Sequence, residues 1–349
     1  MKKLMFLAAI AMVLTVFNAC QKEELKTSPD EGIAKTGKAD VYLENGYLAF
    51  KNMNAVDSVM KVLSKMTRPE KEAWEQKIGL KSARAEFDKL FDEYEKLTSK
   101  EEFLKFKSKY AGQLKFNEMD ETDCSIDYPY QDSFFAPVMN SSGILKVGMT
   151  LFKFTRENQI TILDGDLEKL NNISKFPNDN NIILSTTLKS TNDGSSTTNV
   201  TGFDGWRTSG DRRLWNDLNW TKYIYSLSGY PFPTFKVVYK GYLRQEGQKK
   251  KLFGWGNYST TYVVEDIWYQ EGNQPKTLIC SGNHISPETT PYYDWQFSYT
   301  EYTTSSSSSY DNATRPTMSC KGNVSFRGFD FTYPIYYSIR NIQDSRYNQ

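Results

Sequence analysis

The ten residues VYLENGYLAF, at positions 41–50, mark the start of the folded part of the chain. Two apolar-rich runs flank Asn45 and Gly46, and this pair tolerates the positive φ angles that a two-residue β-hairpin turn requires. We therefore predict a hairpin at 41–50, with a change to helical periodicity from there to Gly112.

The helical periodicity comes from two apolar stripes. They consist of Val56, Val59, Leu63 and Met66, and of Phe87, Leu90, Phe91, Tyr94 and Leu97. The sequences TRPE (67–70) and SKEE (99–102) each predict a capping box, in which two side chains satisfy free amides at the start of a helix. Gly79 and Gly112 stand where helices are expected to end.

The sequence pattern after the helical region indicates mainly β-strands. Residues 134–188 are strand-rich, and residues 223–339 are aromatic and β-branched runs with predicted turns at 246–247, 271–273 and 305–309. Between these two regions, residues 191–210 contain few apolar side chains and predict a domain boundary or a long exposed loop. The predicted fold class is α+β, with a small N-terminal helical domain followed by a predominantly antiparallel, sandwich-like β region. The predicted domains are 39–190 (helical and mixed α+β) and 211–349 (aromatic-rich β).

The first residues indicate export and lipid attachment. Lys2 and Lys3 precede an apolar run, Leu4–Phe17, that is too short to cross about 30 Å of hydrocarbon as a helix. Ala19 and Cys20 then suit a peptidase that cleaves at a lipid-modified cysteine. We predict a signal peptide at 1–19, lipidation at Cys20 and a flexible tether at 20–38. The alternative is a soluble secreted protein, cleaved near Ala19, in which Cys20 is free or paired.

Two resemblances support the lipid anchor. Residues 17–24, FNACQKEE, resemble the lipobox of Bacteroidetes lipoproteins, with Phe17 where the usual pattern has Leu. In that group, acidic residues just behind the cysteine imply export to the outer face of the outer membrane. Residues 44–50, 74–79, 135–140 and 143–148 resemble a set of uncharacterised Bacteroidetes lipoproteins over about the first half of the mature chain. That resemblance implies an envelope location and carries no activity.

Net charge excludes strong electrostatic binding to nucleic acid or to anionic lipid. Removing Lys2 and Lys3 from the 43 basic residues leaves 41, against 42 acidic residues. A nearly neutral chain has no field to steer it to a polyanion. Attachment to the membrane is therefore assigned to the lipid at Cys20, and no nucleic-acid partner is expected.

Six of the seven tryptophans lie between Trp206 and Trp295. Such rings either stack on sugars from an exposed β surface or fill the core, where each buries a large apolar area. The sequence favours Trp206, Trp215 and Trp220 for ligand binding, because they lie in or beside the loop-like segment. The leading function is thus non-catalytic binding of a surface glycan or another ligand by the β domain. The first alternative is a structural envelope component that binds a protein partner.

Cysteine and histidine content limits the possible chemistry. Cys280 and Cys320 lie in similar local sequences and form a possible disulfide between neighbouring strands, which would leave Cys124 free and buried. The single histidine, His284, excludes His-rich zinc sites and allows a Ser-His-Asp triad only if it takes part. A glycosidase-like pair of carboxylates leaves no local signature, so such an enzyme is the second alternative. The prediction is a protein without catalytic residues, metal or cofactor.

Overall fold

The computed structural model describes residues 40–118, 120–130, 132–185, 199–200, 207–227, 234–271, 277–280, 284–304, 318–326, 332–333 and 339–340. For some of the strand residues, the structure describes only the backbone. Residues 1–39 lie outside this set, so the signal peptide, the lipidation of Cys20 and the tether stay predictions. In the described part of the chain, no helix has the length and apolar content needed to cross a membrane.

Four helices of 11 or 12 residues follow the N-terminal hairpin. They are α1 (Met53–Leu63), α2 (Arg68–Ile78), α3 (Ala83–Tyr94) and α4 (Lys100–Tyr110), with a short α5 (Leu167–Asn171) and a 3-10 turn (Ile173–Lys175) further along. The predicted apolar stripes are buried apart from Leu97, which lies beyond α3 and is half-buried; Val56, Leu63 and Phe87 are each at most 3% exposed. Each of the two helices therefore packs on the core through its apolar face.

The predicted helix ends are largely confirmed. Glu70 accepts a hydrogen bond from the Thr67 amide at 2.7 Å, as the capping box requires. Ser99 caps α4 through the Glu102 amide at 3.2 Å, but the Glu102 carboxylate accepts from the amide of Thr98, one residue earlier than the box predicts. Gly79 ends α2 in the left-handed region at φ 74°.

The first sheet has six strands and contains the hairpin. In spatial order they are β1 (Val41–Glu44), β2 (Tyr47–Phe50), β5 (Ile144–Val147), β6 (Thr150–Phe154), β7 (Gln159–Ile162) and β8 (Ile182–Ser185). The hairpin is confirmed, because Glu44 pairs with Tyr47 and the turn residues Asn45 and Gly46 have φ of 47° and 80°. β2 and β5 pair in parallel, and the other neighbours are antiparallel. A separate two-stranded pair consists of β3 (Lys115–Phe116) and β4 (Ile126–Asp127).

The second half of the chain contributes two five-stranded antiparallel sheets. One contains β10 (Arg207–Ser209), β11 (Arg212–Leu227), β12 (Thr234–Lys251), β13 (Gly254–Asn257) and β17 (Tyr292–Thr304). The other contains β14 (Tyr262–Glu271), β15 (Thr277–Cys280), β16 (His284–Ile285), β18 (Met318–Phe326) and β19 (Thr332–Tyr333). β9 (Asn199–Val200) pairs with β20 (Ile339–Arg340). The predicted combination of helices with mainly antiparallel sheets is confirmed, while the sandwich arrangement stays a prediction.

One predicted turn is wrong. β12 runs without interruption through Glu246 and Gly247, and the hairpin turn follows Lys251 instead. Glu246 pairs with Trp215 on one side and with Tyr292 on the other. Ladder hydrogen bonds to both neighbours hold the strand extended, which outweighs the local preference of glycine for turns.

Contacts across the chain bring the helices and the first sheet onto the ribbon formed by β11 and β12. Leu163, beside the first sheet, packs with Ile224, Phe235 and Val237 of this ribbon. On β12, Lys240 is 1% exposed and forms an ion pair with Asp57 of α1. Asp40–Gln349 forms one compact unit, in which residues of both predicted domains touch directly. The ion pair between Asp57 and Lys240 holds α1 against β12.

Candidate ligand-binding cleft

A cleft of about 670 Å³ lies between the helices and the chain segment 285–295. The helical wall comes from α1, the residues just after it, and the starts of α2 and α3. The opposite wall is built by the loop before β17 and by its first residues, including Tyr292, Tyr293 and Trp295. A concave site with aromatic walls and a few polar groups is the usual form of a small-ligand pocket.

Tyr293 and Trp295 form the aromatic part of this wall. Residues two apart on a strand point to the same face, and these two rings pack edge to face with centroids 4.6 Å apart. Both rings are half-buried. Burial raises the pKa of Tyr293, so its hydroxyl keeps its proton and donates to the Ser64 carbonyl at 2.9 Å. The aromatic pair is thereby tied to the C-terminal end of α1.

Contacts on the buried side of the Trp295 ring fix its position. Its Nε1 donates to Gln245 Oε1 at 2.6 Å, and Gln245 is fully buried in β12. The ring also packs on the buried pair Leu214 and Tyr262. A half-exposed ring that is anchored on its inner side loses little conformational entropy when a ligand stacks on it.

Each of the four carboxylates lining the cleft has a cationic partner. Asp57 pairs with Lys240, and Asp88 pairs with Arg84. The remaining two pairs are Glu288 with Lys71, at 2.8 Å, and Asp294 with Arg244, bidentate at 2.7 Å for both contacts. These pairs hold the polar groups in defined positions without leaving a buried charge uncompensated.

Glu288 also connects the loop before β17 to α2. Its Oε2 accepts a hydrogen bond from the Arg68 amide at 2.6 Å, at the first residue of that helix. A carboxylate is favourable there because the helix N-terminus carries partial positive charge. The loop wall of the cleft is therefore anchored to the helical wall.

Arg84 supports the floor of the cleft from α3. Its guanidinium contacts Glu75 at 2.7 and 3.1 Å, while Ser82 donates to the same carboxylate at 2.5 Å. Arg84 and Glu75 are 6% and 5% exposed. This pair is among the most deeply buried ion pairs in the described residues.

A second polar cluster lies outside the cleft and was not predicted from the sequence. Gln248 donates to Glu246 at 3.1 Å and to Asp123 at 3.2 Å, and Arg213 pairs with Asp123 at 3.1 Å. Burial, aided by the charges of Asp127 and Asp123, raises the pKa of Glu246 to about 7. The cluster links β12 to the segment after α4.

The structure leaves the three favoured tryptophans largely untested. Trp206 and the side chain of Trp220 lie outside the described residues, and Trp215 is half-buried on β11. Their role in ligand binding stays a prediction. Trp295, which lines the cleft, belongs to the same tryptophan-rich stretch. It was not favoured because it lies within a strand-like run.

Among the cysteines, the structure describes the side chain of Cys124. Cys124 is free and buried, as predicted, and burial raises the pKa of its thiol. The side chains of Cys280, Cys320 and His284 lie outside the described set. By backbone register, Cys280 and Cys320 pair with Ile267 and Tyr269 on opposite sides of β14. In this register a third strand, β14, lies between the two strands that carry the cysteines, whereas the predicted disulfide joins neighbouring strands. The side chains of both cysteines are outside the described set, so the disulfide stays a prediction.

In the ranges that the structure describes, no group of three or more His, Cys, Asp or Glu side chains is arranged to hold a metal ion.

Comparison with known proteins assigns no family. No family model matches the chain, and no curated protein matches it. A solved structure of a DUF4848 family protein from Bacteroides thetaiotaomicron is similar, with 17% identity over 86% of this chain and 99% of that chain and a TM-score of 0.28. A TM-score this low supports no statement about fold or activity.

Proposed function

We propose that this protein is a lipid-anchored envelope protein that binds a saccharide in the cleft without catalysing a reaction. The observation that carries the proposal is the half-exposed pair Tyr293 and Trp295, set beside ion-paired carboxylates in a cleft of about 670 Å³. The apolar faces of sugar rings stack on aromatic side chains, and their hydroxyls hydrogen-bond to charged groups. The cleft offers both kinds of contact.

Replacing Trp295 with alanine is expected to weaken saccharide binding about tenfold or more, because burying a large apolar side chain is worth roughly 1.5–3 kcal/mol. The measurement is isothermal titration of the mature chain carrying Cys20→Ala, after a thermal-shift screen of host and dietary oligosaccharides. Trp255→Ala is the matched control, since Trp255 lies under the Arg213 guanidinium outside the cleft. Unchanged affinity in a folded Trp295→Ala variant would contradict the proposal.

Replacing Cys20 with alanine is expected to move the protein from the membrane fraction to the soluble fraction. Stable anchoring to a membrane takes two lipid chains, and a diacylglyceryl group with an additional N-acyl chain at Cys20 exceeds that number. The lipid alone would therefore hold the near-neutral chain at the membrane. Fractionation of cells followed by immunoblotting measures this, and Cys124→Ala serves as the control for loss of a thiol. Retention of the Cys20→Ala variant in the membrane would refute the anchor.

The two alternative functions predict different results in the same assays. A structural envelope component would cross-link to a protein partner in intact cells and show no thermal shift with any oligosaccharide. A glycosidase using paired carboxylates would release new reducing ends from a bound oligosaccharide. A thermal shift without new reducing ends supports the proposed binding function.

A further inference from the structure

The charged side chains that line the cleft are ion-paired except at one place. Lys61 and Lys65 line the cleft at the end of α1, and both are exposed. The cations Lys240, Lys71, Arg84 and Arg244 each contact a cleft carboxylate. Within the described ranges, by contrast, no carboxylate forms an ion pair with Lys61 or Lys65.

The partial negative charge at the C-terminal end of α1 does not neutralise both lysines. A helix C-terminus carries roughly half a negative charge, and that charge is favourable for a lysine in the last turn. Two lysines leave an excess of positive charge on this side of the cleft. Positions four apart also lie on the same face of a helical turn, so the two ammonium groups can contact one anion.

The excess charge is adjacent to the aromatic pair. The Tyr293 hydroxyl donates to the carbonyl of Ser64, which directly precedes Lys65 and follows Lys61 by three residues. A sugar ring on Tyr293 and Trp295 would therefore place a substituent within reach of both lysines.

We propose that the ligand of the cleft is an anionic saccharide, whose carboxylate or sulfate binds Lys61 and Lys65 while its ring packs on Tyr293 and Trp295. This inference rests on the proposed saccharide-binding function and specifies the class of saccharide.

The test compares three short oligosaccharides of equal length, built of galacturonic acid, sulfated galactose or neutral galactose. Titrations use the full mature chain carrying Cys20→Ala. At least one anionic probe is expected to bind about tenfold more tightly than the neutral probe at low salt, and this advantage should shrink as salt screens the charges. Comparison of the two anionic probes identifies carboxylate or sulfate as the preferred group.

The variant Lys61→Ala/Lys65→Ala is expected to remove this tenfold advantage, so that the anionic probe binds no more tightly than the neutral probe. The control is Lys105→Ala/Lys109→Ala, which removes the same charge at the same spacing from α4, where these lysines contact Glu101 and Glu93. Equal affinity for neutral and anionic probes, or equal effects of the two double variants, would overturn the inference while the proposed function stands. Absence of binding to every probe would overturn both.

Discussion

Arg84→Ala is expected to lower the free energy of unfolding by about 3–5 kcal/mol, the cost of removing one partner from a buried ion pair. Arg84 is 6% exposed and contacts both oxygens of the Glu75 carboxylate. Alanine would leave that carboxylate buried with Ser82 as its remaining hydrogen-bond donor in the cluster. It would also remove the ion pair that Arg84 forms with Asp88 at the cleft.

Urea denaturation followed by far-UV circular dichroism measures the change. Lys105→Ala is the control, because its ion pair with Glu101 is exposed and such pairs contribute about 0–1 kcal/mol. Adding Glu75→Gln to Arg84→Ala should restore part of the loss, since it removes the uncompensated charge. A loss for Arg84→Ala no larger than that for Lys105→Ala would show that the buried pair does not stabilise the fold.

Glu246→Gln is expected to remove a pH-dependent contribution of about 3 kcal/mol to the free energy of unfolding. The contribution arises because the pKa of the Glu246 carboxyl rises from 4.5 in the unfolded chain to about 7 in the folded protein. Because the folded pKa is raised, the folded state holds this proton more tightly than the unfolded state. The contribution is fully present below pH 4.5, is lost as the pH rises to 7, and stays lost above that pH. Glutamine is neutral throughout and can still accept from Gln248.

Denaturation of the two proteins between pH 4 and 9 tests this. The stability of Glu246→Gln relative to the parent protein should increase between pH 4.5 and 7 and then remain constant. Glu101→Gln, which alters an exposed carboxylate on α4, should show no such step. A difference between Glu246→Gln and its parent that does not vary with pH would rule out an elevated pKa at Glu246.

Local features of the sequence predicted the helical half of the fold well. The hairpin follows from Asn45 and Gly46, since their conformations depend on two adjacent residues. The burial of α1 and α3 follows from apolar spacing, and the helix ends follow from Thr67, Ser99 and Gly79. Each of these signals operates within a few residues. The turn predicted at Glu246 and Gly247 failed because two neighbouring strands, which no local pattern reveals, hold that position extended.

The sequence by itself determined the hairpin and the helix ends and indicated a combination of helices with antiparallel sheets, because each of these features depends on neighbouring residues. The export and lipidation signals at residues 1–20 stay predictions from the sequence. Only the tertiary structure decided the cleft, the aromatic pair beside Lys61 and Lys65, and the environment of Glu246. Tyr293 contacts Ser64 across 229 positions of the chain, and Glu288 contacts Arg68 across 220. The free energy of such contacts depends on distance and burial in space, and these are set when strands and helices distant in sequence pack together.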